Sequence, residues 1–89
     1  MELSQAFGLA LRELRERKQL SQQAFVGVIS REHMSRLERG VSLPNLAVVV
    51  GVAEVLGVHP MSLMALCFQE MNGGEIQNML HQVELDLSI

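Results

Sequence analysis

The sequence predicts an all-α fold. Two observations carry this reading. Apolar residues recur at i, i+3, i+4 and i+7 in separate stretches along the chain, and capping residues, glycines or a proline stand where those stretches begin and end. Residues 46–56 also read as a buried strand because they are rich in valine. Their length of about twelve and the caps on either side favour a helix.

The first helix is expected to begin at Ser4 as N-cap and to run to about Arg17, with Phe7, Ala10, Leu11 and Leu14 forming its apolar stripe. Arg17 and Lys18 then stand where the helix dipole favours cations, and Leu20 closes the connection. Ser21 is expected to cap a short second helix beginning at Gln22, with Ala24, Phe25 and Val28 facing inward and Gly27 weakening it by roughly 1 kcal/mol relative to Ala. Ile29 is the apolar residue of the turn that follows. Ser30 caps the third helix and Gly40 ends it. Residues 40–44 form a loop. The fourth helix starts near Asn45 and stops at Gly57. Leu46, Val49, Val50 and Ala53 make one apolar face on it and Val48, Val52 and Val55 another, so it needs two packing partners, one of which is expected to be a second subunit. Pro60 opens a strongly apolar fifth helix. Asn72-Gly73-Gly74 breaks the chain, and Ile76, Met79, Leu80 and Val83 mark one apolar stripe on a last helix. These breaks divide the sequence into a domain over 1–71 and a C-terminal extension over 72–89, expected to be a helix for dimerisation.

The third helix is the most informative. Glu32, Ser35, Arg36 and Arg39 share one face, while Met34 and Leu37 lie opposite. A short helix with an apolar back and an arginine-bearing front suits a DNA major groove, where arginine bonds the edge of guanine and a carboxylate accepts from cytosine. On that reading Arg31, Glu32, Ser35 and Arg36 face base edges, with Arg31 and Arg36 foremost. His33, near the start of the same helix, can reach a phosphate or a base, or pack half-buried. Charge is distributed to match. Seven basic residues against five acids leave residues 1–40 at +2, while residues 41–89 hold five acids and no Lys or Arg. A polarised chain presents one end to a polyanion and keeps the other away.

A chain of 89 residues buries a modest fraction of its surface, and Cys67 is its only cysteine, so no disulfide supplements the core; dimerisation is the expected supplement. A lone cysteine and no signal peptide point to a reducing cytoplasm. Cys67 lies in an apolar run with no cation near it in sequence and reads as a buried thiol. The longest apolar stretch is interrupted by Glu54 and two glycines and is too short to span a bilayer, so no membrane partner is expected. The chain has no Trp or Tyr, which weighs against readers of single strands that stack bases on aromatics. Three scattered histidines and one cysteine give no metal signature. There is no nucleophile–base pattern and no phosphate-cradling glycine loop, so neither enzymatic activity nor a cofactor is expected.

Residues about 7–66 resemble the Cro/repressor-type (XRE) helix-turn-helix family of bacterial and phage regulators. The resemblance rests on Leu11-x-x-Leu14-Arg15-x-x-Lys18, Leu20-Ser21-Gln22, Ser35-Arg36-Leu37-Glu38-Arg39-Gly40, Pro44-x-Leu46 and Ala53-x-x-Leu56-Gly57-Val58. It implies a compact five-helix, lambda-repressor-like domain, here with one additional C-terminal helix. It also implies an ion pair between Arg15 and Glu38 that joins the first and third helices, and a glutamine at the place of Gln22 that touches the DNA backbone or braces the recognition helix. Ser21, Gln22, Arg39 and Asn45 are expected to join His33 among the phosphate contacts, which set register and do not choose sequence. From Ser21 to Gly40 the chain is about two residues shorter than the family pattern, which displaces the usual turn glycine.

The expected partner is therefore double-stranded DNA, bound by a homodimer whose interface draws on Val52, Val55, Met61, Met64, Phe68, Ile76, Met79, Leu80 and Val83. Transcriptional repression at a near-palindromic operator is the expected role. Controllers of restriction–modification systems, and antitoxins that bind a toxin protein as well as their own promoter, are the rival roles for a stand-alone domain of this size.

Overall fold

The computed structural model describes residues 1–88; of the C-terminal extension, Ile89 lies outside the described residues. Five α-helices account for most of the described residues, with no strand among them: α1 (Leu3–Arg17), α2 (Arg31–Glu38), α3 (Leu46–Leu56), α4 (Pro60–Asn72) and α5 (Ile76–Leu87). Between α1 and α2 the chain makes one 3₁₀ turn, Gln22–Phe25.

Local chemistry sets most of the helix ends. Glu2, not Ser4, is the N-cap of α1; its backbone N–H donates to the Gln5 side chain at 3.3 Å, and Ser4 lies within the first turn. Ser30 Oγ accepts from the His33 amide at 3.0 Å to start α2, and Asn45 Oδ1 accepts from the Val48 amide at 2.8 Å to start α3. Pro60 begins α4 behind His59, whose Nδ1 accepts from the Met61 amide. Three helices end alike, with a left-handed residue whose own amide and that of the next residue donate to carbonyls of the last turn: Gln19 after α1, Gly40 after α2 and Gly57 after α3. Gln19, at φ 57°, is the only non-glycine described residue with positive φ.

The expected second helix is reduced to the 3₁₀ turn and a following bend. Phe25 is fully buried and Ile29 nearly so, but Ala24 and Val28 are exposed. Phe25 and Ile29 fill the inward positions, and Val26 and Val28 of the bend stay exposed. Val28 instead covers α3 at Gly51, where a Cβ would stand 2.6 Å from its methyl.

The core joins Phe7, Ala10 and Leu11 of α1 to Phe25, Ile29, Met34, Leu37, Val49, Val52, Leu56, Leu63 and Cys67. Each fully buried large side chain contributes roughly 1.5–3 kcal/mol. The rotation of α3 corrects the assignment of its faces. Val49, Val52, Ala53 and Leu56 point inward, while Leu46 is 78% exposed and Val50 is also exposed. Val52 is thus a core residue of the protomer and is not free for a subunit interface. With apolar residues all round α3, periodicity could not choose which stripe meets the core. Burial pushes the Cys67 thiol above its ordinary pKa. No single described helix is long and apolar enough to cross a membrane, and α3 and α4 are bent 106° to one another.

Candidate nucleic-acid interface

The polar front of α2 is held in place from behind by two devices. The first is close backbone approach. A Cβ on Gly8 would stand 2.5 Å from the Leu37 carbonyl oxygen and 2.7 Å from that of Glu38, so α1 meets the end of α2 backbone to backbone. The second is a polar brace. Arg15 Nε donates to Glu38 Oε2 at 2.6 Å and Nη2 to Oε1 at 3.0 Å, while Nη1 reaches the Leu20 carbonyl at 2.9 Å. Gln22 Nε2 adds a bond to Glu38 Oε1 at 3.1 Å. The Glu38 side chain is only 4% exposed, so the pair is a strong one only because its hydrogen bonds are satisfied. The bond to Glu38 raises the Arg15 pKa above its ordinary value. One carboxylate therefore ties together α1, the 3₁₀ turn and α2.

On the opposite side, Arg31, Glu32, Arg36 and Arg39 are exposed, and His33 and Ser35 are half-buried. Glu32 and Arg36 have the i, i+4 spacing at which opposite charges pair on a helix. On α1 that spacing does produce pairs, Arg12–Glu16 at 3.4 Å and Glu13–Arg17 at 3.2 Å. On α2 it does not: among the described residues neither Glu32 nor Arg36 has an ion-pair partner within 4 Å. Both instead line an open concavity of about 380 Å³ together with Ser30, His33 and Ser42. The site thus offers a hydrogen-bond acceptor and a fork of donors one turn apart, the pair of groups that suits the two bases of a C·G pair.

Ser42 was missed by sequence reasoning. Its hydroxyl oxygen is buried, has no hydrogen-bond partner, and belongs to the loop that walls the concavity. A serine between two glycine- and proline-marked turns carries no sequence signal for this; only the packing of the loop against α2 reveals it.

The other predicted residues are placed as follows. Ser21 is exposed and stands at the N-cap position of the 3₁₀ turn without a side-chain capping bond. The Gln22 side chain, expected either at the DNA backbone or bracing the recognition helix, donates to Glu38 as a brace. Asn45 is exposed with its amide oxygen engaged in capping α3. Of the apolar interface residues, Met61, Ile76 and Leu80 share a groove of about 590 Å³ between α1, α4 and α5. Met64 lines a separate cleft with Leu3, Leu43 and Leu46. Val55, Phe68, Met79 and Val83 are half-buried.

Residues 6–66, more than half of the chain, match the family described as a helix-turn-helix domain. No curated protein and no solved structure matches the chain. The chain belongs to this helix-turn-helix family, of the XRE-like kind, and the family points to a DNA-binding regulatory function.

Proposed function

We propose that the protein is a sequence-specific regulator of transcription that works in the cytoplasm as a homodimer on double-stranded DNA, acting by default as a repressor. Each α2 enters the major groove, Arg31, Glu32, Ser35 and Arg36 meet base edges, and Arg39, His33 and Asn45 meet phosphates. Two such helices related by a two-fold axis read half-sites about 34 Å apart, one helical turn, on a near-palindromic operator. The observation that carries this reading is the unpaired Glu32–Arg36 couple on an exposed helix whose back is fixed by a buried ion pair. The two charges have the i, i+4 spacing of a helix pair yet both face solvent, and base readout uses both.

Selection from random duplex DNA by the purified protein tests the proposal. An inverted repeat with half-sites about ten base pairs apart is the expected product. Enrichment of a single, unrepeated motif would leave base readout standing and remove the dimer. No enrichment at low salt by folded protein would remove the DNA-reading role.

A further inference from the structure

The groove of about 590 Å³ between α1, α4 and α5 takes no part in the DNA-facing concavity. We infer that it is the subunit interface, and that its occupant is the α5 helix of a second copy of this chain. The inference rests on the homodimer proposed above and adds which elements meet.

The first ground is that α5 is underused in the protomer. It carries the stripe Ile76, Met79, Leu80 and Val83, yet none of its described residues is buried, and Leu80, Leu85 and Leu87 are exposed. Twelve residues do not hold an amphipathic helix on their own energy; its apolar face must be covered. The second ground is what α5 leaves open. It starts where Gln69 Nε2 donates to the Gly74 carbonyl at 3.0 Å, and it leans on α4 so that Ile76 and Leu80 form one wall of a trough walled otherwise by Leu14, Ala65 and Leu66. The apolar stripe therefore faces a space that its own protomer does not fill.

The third ground is charge. The trough holds Arg17 and His59 and no carboxylate. The α5 helix holds Glu84 and Asp86 and no Lys or Arg, and none of the three ion pairs among the described residues involves it. An α5 from a second copy brings acids to a rim whose one arginine is 65% exposed and is shared only with Glu13. Each copy offers both the trough and the helix, so a two-fold arrangement in which each α5 enters the other copy's trough satisfies both contacts and closes at two subunits.

The test uses full-length protein in sedimentation equilibrium, with circular dichroism to confirm folding. Arg17→Glu and the double variant E84R/D86R each put two like-charge contacts into a homodimer and are expected to raise its Kd about tenfold. Mixing the two variants in equal amounts places opposite charges at both contacts, and the mixture is expected to recover the wild-type Kd. Leu80→Glu, at an exposed position, is expected to abolish the dimer irrespective of salt. A wild-type dimer that none of these variants alters overturns the assignment of the interface while leaving dimeric operator binding intact. A wild-type monomer overturns the dimer and this interface together. Weakening of each variant without recovery on mixing overturns α5 of a second copy as the occupant.

Discussion

Arg36 and Glu32 leave unmade an ion pair that the same spacing makes twice on α1. If their function is readout, Arg36→Ala weakens binding to the selected operator by about 1–3 kcal/mol and relaxes preference at one base position. Binding measured across single-base operator variants checks this. An equal loss on every sequence would place Arg36 on a phosphate. Ser42 supplies a prediction of a different kind. Its buried hydroxyl lacks a partner, which costs about 1–3 kcal/mol in the free protein. Ser42→Ala is therefore expected to raise folding stability by about 1–3 kcal/mol in urea unfolding. A fall in stability would mean that the hydroxyl is bonded in solution, through water or a shifted loop. The Arg15–Glu38 brace behaves oppositely. Removing one partner of a buried, hydrogen-bonded pair leaves the other charge stranded, and Glu38→Ala is expected to cost about 3–5 kcal/mol, measured by the same unfolding transition.

At the scale of elements, what was legible in the sequence was local and what was hidden was not. Ser30, Asn45, Gly57 and Pro60 announce helix ends because a cap acts within one turn of itself, and all four stand at the ends they mark. The 3₁₀ turn is the main departure. Ser21 and Gln22 begin it, but how far a helix runs depends on how much chain is left to reach Ser30. The facing of α3 was hidden because valines on every side erase the contrast on which periodicity depends. Gly8 was hidden too, since nothing near it in sequence shows that α2 passes within contact distance. That closeness makes it the most testable position in the scaffold. Gly8→Ala sets a methyl 2.5 Å from the Leu37 carbonyl oxygen, and both neighbours are backbone atoms that no rotamer change can move away. The expected cost is about 3 kcal/mol, seen as a fall in Tm of about 10–20 °C for a domain of this size. A stability within 1 kcal/mol of wild type would show that α1 and α2 separate easily, and the brace would then be left as their main tie.

For the molecule as a whole, charge placement sets how binding responds to salt. The chain is net −3, yet its basic residues all lie in the first 40 positions, so attraction to DNA depends on which of them are free. Arg12, Arg15 and Arg17 are shared with Glu16, Glu38 and Glu13. Arg31, Arg36 and Arg39, on α2 and its C-cap, are exposed and enter no ion pair among the described residues. A dimer then brings about six free arginines to the duplex, and since each neutralised phosphate contributes about −0.9 to the slope of log K against log salt, the slope has a ceiling near −5. If Arg31 and Arg36 spend their donors on bases and only Arg39 reaches phosphate, the slope falls to about −2. A titration on the selected operator from 50 to 200 mM salt separates the two values. A slope steeper than −5 would mean that Arg12, Arg17 or Lys18 also lies against the DNA, which would turn the end of α1 toward the duplex and compete with the role given to Arg17 at the subunit interface.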